Sequence, residues 1–365
     1  MLPKDHWPYT DKYFLRTNEI LKKEAIDPVV SIFLHPNKGC IAAGKDELEA
    51  VLLGFSSDKG CRLWFTKRKR LSKREPFAVI KARAQRIVEL ETLYLGLVSS
   101  ALADANSYPV PSVQEIADKM SRLKAIYGDI PIIYFGARHH HWRYDREFAQ
   151  AAIRSGAVQT STDNGSQAIA QEGAGTMPHA LAIILASVYG KQDATRKAAE
   201  LFDKHMPADI PRITLVDTFA REITDSLAVA RYFGSRKNMM RIDTCGESYG
   251  EGSQQRAGDG IHDGKGVTVE LTANVRQALI EAGMGSSTGL FLSSGFGDEG
   301  KAQAFCHAEK DFRKKTGYSL FEGVGIGDLT AGLFATADVY EVDGKPLAKT
   351  GRKPDINLDC MERIL

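Results

Sequence analysis

Beyond residue 130 the chain repeats short apolar runs without polar alternation, at 130–135, 158–160, 213–217, 240–243, 290–294 and 320–324. Amphipathic stretches at 221–232, 267–282 and 301–315 lie between several of them. Strands without alternation are buried on both faces, so this rhythm predicts a parallel sheet covered by helices. The number of units favours an irregular α/β barrel over an open doubly wound sheet. The first ~125 residues read differently, as an α+β region. Strand-like content occurs at 29–34, 60–66 and 76–81, with helical periodicity at 46–55. A long amphipathic helix is predicted over 83–103, with Ile87, Leu90, Leu93, Tyr94 and Leu97 at helical spacing. Ser107-Tyr-Pro-Val-Pro111 ends it, and Ser112 opens another helix. Near the end, Asp343-Gly344 between alternating segments predicts a hairpin. The expected division is an α+β domain at 1–125, a barrel carrying the active site at 126–335, and a hairpin and tail at 336–365 that return to the N-terminal domain.

Composition narrows the class. A length of 365 residues with 43% hydrophobic and 26% charged residues is ordinary for a globular enzyme. Lys+Arg 48 against Asp+Glu 46 offers no general attraction for nucleic acid. The basic block Lys67-Arg-Lys-Arg70 reads as a solvated hairpin turn. Five scattered cysteines without a CxxC pair argue against a disulfide framework and a structural zinc site. The N-terminus lacks signal-peptide character, and no apolar run reaches the ~20 residues that span a bilayer. A reduced, cytoplasmic enzyme without a membrane partner is expected.

Candidate chemistry gathers at the strand ends, where α/β barrels build their sites. Gly136-Ala-Arg138 follows the first run and Thr162-Asp163 the second; Asp217, Asp243 and Ser293-Ser294-Gly295 end three others. Gly323-Val-Gly325 closes the last, where glycines would let N–H groups approach a phosphate, or simply form a tight turn. Asp217 and Asp243 suit ribose hydroxyls or a hydrated Mg²⁺, and an Arg–Asp ion pair is the competing reading. Arg241 shares its strand side with Asp243, and Arg138 is a second cation for pyrophosphate or a carboxylate. In Gly175-Thr-Met-Pro-His179, the histidine stands at the mouth of an apolar helix with Pro178 in the first turn. Free N–H groups and the helix dipole there attract phosphate and favour a neutral, nucleophilic imidazole. The alternative is a histidine satisfied by a backbone carbonyl. His139-His140-His141 point alternately and do not converge on one ion, so no metal ligand is assigned. The segment 245–266 is glycine-rich and polar, suiting a mobile lid or a disordered loop.

Taken together, these residues resemble the nicotinate phosphoribosyltransferase family, the type II phosphoribosyltransferases. The resemblance is carried by Tyr9-Thr-Asp11-Lys-Tyr13-Phe-Leu-Arg16-Thr17, Glu89-Leu-Glu91-Thr92, Phe135-Gly-Ala-Arg138 and Asp163 to Ser166. It continues through Gly175 to Leu181, Val216-Asp-Thr218, Arg241-Ile-Asp243, Ser293-Ser-Gly295, Gly323-Val-Gly325 and Val342-Asp-Gly-Lys-Pro346. It implies the barrel fold and the joining of nicotinate to 5-phosphoribosyl 1-pyrophosphate, with Mg²⁺. Nicotinate mononucleotide and pyrophosphate are the products, in NAD salvage. It further implies coupling to ATP through a phosphohistidine at His179. Thr176, Arg241 and Ser166 would contact nicotinate, and Phe135 would sandwich its ring with Tyr13 of a neighbouring subunit, hence a homodimer. Asp217 and Asp243 would face the ribose, with Ser294, Gly295 and Gly325 near the 5-phosphate.

Departures from the family pattern keep two alternatives open. Thr244-Cys-Gly-Glu247 follows Arg241-Ile-Asp243 where Ser-Gly-Asp is common, and Ile326 replaces a usual threonine. The same reaction on another base, such as nicotinamide, and a non-catalytic nucleotide-binding relative therefore stand beside the leading reading.

Overall fold

The computed structural model describes residues 2–330 and 332–365. In the N-terminal part, β1 (Val29–Pro36), β3 (Arg62–Thr66) and β5 (Ala78–Arg83) form an antiparallel sheet, and β2 (Cys40–Ile41) pairs separately with β4 (Arg70–Leu71). The basic residues 67–70 are exposed beside that pair. The expected long amphipathic helix is instead two pieces, Ala84–Ile87 and Glu91–Ala105, separated by the 3-10 turn Val88–Leu90. The second piece is buried nearly all round, including Tyr94, Leu95, Gly96, Val98 and Ser99. It traverses the core, so its sequence carries apolar residues on every face. Turn residue Glu89 earns its place by bonding Asn18 Nδ2, and its carboxylate also meets His6 Nε2 at 3.2 Å. Ser112 caps the next helix, Val113–Tyr127, in a reciprocal capping box with Glu115.

The second body is a parallel sheet of β6 (Ile132–Tyr134), β7 (Gln159–Thr160), β8 (Ile213–Leu215), β9 (Asn238–Ile242), β10 (Thr288–Leu292) and β11 (Gly323–Ile326). Their order is β7-β6-β11-β10-β9-β8, a curled half-barrel with helices outside. The barrel seam between β7 and β8 is bridged by residues 174–176. Ala174 N–H donates to Thr160 O at 2.7 Å, and Thr176 Oγ1 donates to Ile213 O. Helix His179–Tyr189 follows at once, and its buried Ala180–Ala186 run joins the core of the N-terminal sheet. Chain neighbours of the seam therefore connect the two bodies.

The final strands, β12 (Ala335–Val342), β13 (Lys345–Pro346) and β14 (Met361–Arg363), extend the N-terminal sheet. Its order is β13-β12-β1-β5-β3-β14. Asp343 and Gly344 turn between β12 and β13 with φ of 48° and 74°. Such a turn needs left-handed residues at both positions, which is what Asp-Gly supplies. The segment 245–266 has no helix or strand, yet it is tied down. Glu251 accepts from Thr224, Arg256 pairs with Asp263 at 2.6 Å, and Gly266 N–H donates to Ser248 O. Among the described residues, no helix is long and apolar enough to cross a membrane.

Candidate active site

A cavity of about 600 Å³ opens where the strand ends of the half-barrel meet the N-terminal body. One wall is an aromatic slot. Phe135 leaves β6 with its N–H bonded to Ile326 O at 2.7 Å, and its ring lies over β11. A Cβ at Gly325 would come within 2.3 Å of Phe135 Cε2, so glycine there makes room for the ring. Ile326 points to the opposite face of the strand and is buried in the core between the sheet and its covering helices. The loss of a threonine hydroxyl at 326 thus falls on the core side of the strand, while Gly325 and Gly327 face the cavity.

Tyr13 lines the same cavity from its own chain. Helix Lys12–Lys23 is anchored onto the barrel by Lys12 N–H to Ser161 O at 2.8 Å and by Lys12 Nζ to Asp163 at 2.9 Å. The Tyr13 hydroxyl donates to Asp11 Oδ2, and Gly175 packs against its ring.

Two arginines flank this ring and differ in state. Arg138 is paired with Asp11 at 3.0 Å and, more distantly, with Glu91 at 3.5 Å. Burial, with repulsion from Asp338 and Asp11, pushes the Glu91 carboxyl well above its usual range. Arg241 is only 7% exposed, and its guanidinium, with Nε fully buried, has no hydrogen bond or ion pair among the described residues. Its guanidinium sits 5.9 Å over Tyr13. A buried cation without a bonded partner is costly unless an anion completes it.

A second wall carries the charged centre. His179 is the first residue of its helix, with Pro178 one position earlier, at the cap, rather than in the first turn. Its partners are side chains, not a backbone carbonyl. Nδ1 lies 3.1 Å from Thr218 Oγ1, and Nε2 lies 2.8 Å from Lys349 Nζ. Asp243 Oδ2 and Asp217 Oδ2 stand 3.4 and 3.7 Å from Nε2. Burial and the Lys349 charge hold the imidazole pKa below its ordinary value, against the two carboxylates. Asp243 is held low despite burial, by His179, Lys349 and Arg241. Asp217 is 2% exposed and lies behind Lys349, ion-paired with it at 2.7 Å, instead of facing the cavity.

A third wall is the loop after β10. Ser294 and Gly295 adopt left-handed backbone with φ of 77° and 82°, and both line the cavity. Buried Lys301 Nζ donates to Ser294 O at 2.9 Å. Burial lowers the pKa of this ammonium to about 8. Asp298 caps the following helix, Glu299–Thr316, by accepting from Lys301 N–H.

Two expected substrate contacts lie elsewhere. Ser166 is fully buried, with Oγ 3.0 Å from Thr160 Oγ1, and Thr176 spends its hydroxyl closing the barrel seam. Neither lines the cavity. The three histidines diverge. His139 bonds Gly327 O and stacks on Phe334, His140 meets Phe148 edge-on, and His141 accepts from Arg143 N–H. Among the described residues, no group of three His, Cys, Asp or Glu is placed to hold a metal.

Lys349, Arg352 and Asp338 line the cavity but were missed in the sequence, and Glu91, noted there only as part of a motif, lines it too. Lys349 and Arg352 follow the hairpin in a basic, glycine-bearing stretch, the only signal available; nothing local marks Lys349 for burial.

The chain has the fold of a type II phosphoribosyltransferase. The solved structures that share it include nicotinate phosphoribosyltransferases. That from Vibrio cholerae is 14% identical with a TM-score of 0.66, covering 93% of this chain and 86% of its own. That from Porphyromonas gingivalis is also 14% identical, with a TM-score of 0.64 and coverage of 95% and 93%. A Saccharomyces cerevisiae protein provisionally given the same activity has a TM-score of 0.67 at 14% identity, covering 99% and 96%. No protein-family model matches the chain.

Proposed function

We propose that this protein joins nicotinate to 5-phosphoribosyl 1-pyrophosphate, forming nicotinate mononucleotide and pyrophosphate for NAD salvage. The carrying observation is Arg241. It is a buried guanidinium without a bonded partner, set beside the aromatic slot of Tyr13 and Phe135. A flat ring bearing a carboxylate complements both features. Neutral nicotinamide would leave the guanidinium unmatched, which favours nicotinate over the other base.

Departure of pyrophosphate develops positive charge at the anomeric carbon. Asp243, lining the cavity and held ionised, is suited to stabilise that charge. The ring nitrogen of nicotinate is already nucleophilic, so positioning supplies much of the remainder. The left-handed Ser294-Gly295 loop and Gly325 offer close approach for the 5-phosphate. The residues present do not fit a resident Mg²⁺, since Lys349 already neutralises Asp217. Mg²⁺ therefore enters as the counter-ion of the pyrophosphate substrate. ATP coupling is assigned to His179, neutral and cavity-lining at a helix mouth.

The test is incubation of the pure protein with nicotinate, phosphoribosyl pyrophosphate and Mg²⁺, with and without ATP. Mononucleotide should appear in both tubes and faster with ATP. Its absence from both would leave a nucleotide-binding relative. In the His179→Ala variant the ATP stimulation should vanish, and its persistence would remove His179 from that role.

A further inference from the structure

The strongest unassigned feature is Lys349. It reaches the site from the C-terminal arm that follows β13 and is only 5% exposed. Its ammonium meets two acceptors, His179 Nε2 and Asp243 O, each at 2.8 Å, and is ion-paired with Asp217 Oδ2 at 2.7 Å. An ammonium has donors only. Nε2 must then accept, so the ring proton stands on Nδ1 and is donated to Thr218 Oγ1 at 3.1 Å. The next arm residue, Thr350, donates its N–H to Thr218 O at 2.9 Å. Two adjacent arm residues thus clamp the loop 217–218 and, through it, both ring nitrogens.

We propose that Lys349 is a positioning residue that fixes His179 as the Nδ1–H tautomer. It reserves the Nε2 lone pair for phosphoryl transfer and caps that lone pair until the phosphoryl donor displaces it. For the transferred group, this rests on the ATP-coupled reading above. The balance of the step is simple. Lys349 leaves Nε2, whose lone pair forms the N–P bond as the bond from the γ-phosphorus to its bridging oxygen breaks. That electron pair leaves on ADP. The Nδ1 proton stays where it is, bonded to Thr218, so no general base is required. Asp217 and Asp243 balance the resulting ring cation, and the released ammonium becomes a donor for phosphoryl oxygens.

Removing the lysine should reverse the tautomer. Asp243 Oδ2 at 3.4 Å and Asp217 Oδ2 at 3.7 Å are then the groups facing Nε2, and both accept protons. Burial already favours the neutral ring, and Lys349 itself is kept charged because Asp217 and Asp243 outweigh its desolvation.

The experiment is a long-range ¹H–¹⁵N correlation spectrum of histidine-labelled full-length protein at pH 7.5, with His179 assigned from the His179→Gln variant. Wild type should show Nε2 bare and Nδ1 protonated. Lys349→Arg, still a pure donor, should keep that pattern, and so should Thr218→Val. Lys349→Met should move the proton to Nε2. A protonated Nε2 in wild type, or an unchanged tautomer in Lys349→Met, overturns the proposal. Should Lys349→Met not fold, wild type and Thr218→Val still decide. In parallel, labelling with γ-³²P ATP should give alkali-stable phosphohistidine in wild type and about tenfold less, or lower, in Lys349→Met. No label in wild type defeats the ATP-coupled reading and leaves the tautomer result standing. Equal labelling of both proteins defeats the role of Lys349.

Discussion

Phe135 rests its ring on the backbone of Gly325, so closely that a Cβ there would sit 2.3 Å from Phe135 Cε2 and 3.2 Å from Phe291 Cε1. Neither ring can retreat without disturbing β6 or β10. Gly325→Ala should therefore push Phe135 into the slot and raise the KM for nicotinate about tenfold or more, while the fold survives. Overpacking of this kind costs about 1–3 kcal/mol. Steady-state kinetics with thermal melting check it, and an unchanged KM would show that the slot does not receive the base.

Arg241 should set the choice of base. A charge-assisted hydrogen bond is worth roughly 1.5–3 kcal/mol, or about 10- to 150-fold. Arg241→Gln should lose that factor in kcat/KM for nicotinate and much less for nicotinamide. Parallel losses on both substrates would assign Arg241 to the general architecture.

Lys301 separates stability from function. Its ammonium is buried, and its pKa falls from 10.5 to about 8. Between those values the unfolded chain binds more protons than the folded one, so stability should rise with pH from about 8 towards 10.5. Holding the charge below that window costs on the order of 3 kcal/mol. Lys301→Met should be no less stable than wild type at pH 7, yet it should loosen the left-handed Ser294-Gly295 loop. The KM for phosphoribosyl pyrophosphate should climb several-fold. Denaturant titrations across pH and substrate kinetics test the two halves, and a variant unstable at pH 7 with unaltered KM contradicts both.

His139 should make the protein acid-sensitive. Burial, then its charged neighbours, lowers its pKa from 6.5 to about 3, and burial lowers His140 to about 4. Below 6.5 the unfolded chain takes up protons that the folded one refuses, so stability falls as pH drops from 6.5 towards 3. The His139 share is on the order of 5 kcal/mol at the bottom of that window. His139→Phe, which preserves the stack on Phe334, should flatten the decline between pH 6.5 and 4. An identical slope in urea midpoints would place the acid sensitivity elsewhere.

Much of this architecture was legible beforehand because it depends on local pattern. The unalternating runs marked strands buried on both faces, and each observed strand of the half-barrel overlaps one of them. Asp343-Gly344 announced its hairpin through the backbone each residue tolerates. The failures share a cause. Residues 83–103 looked like one amphipathic helix because five apolar positions kept helical spacing. The break at Val88–Leu90 answers Glu89's bonds to His6 and Asn18, which are distant in sequence. Ser166 and Thr176 looked like substrate contacts by motif position, but a hydroxyl's partner is chosen by whatever acceptor the fold brings near.

Alone, the sequence determined the elements, the parallel arrangement and the candidate chemistry at strand ends, all set by periodicity and by residue type. Tertiary structure alone decided which groups are bonded and which are left wanting a partner. Arg138 and Arg241 are equivalent as letters, yet one is matched by Asp11 and the other is buried without a bonded carboxylate. Lys349 is one basic residue in a polar tail until the arm carries it between Asp217 and His179. Charge state, tautomer and affinity follow from burial and from neighbours far apart in the chain, and those exist only once the two bodies have packed together.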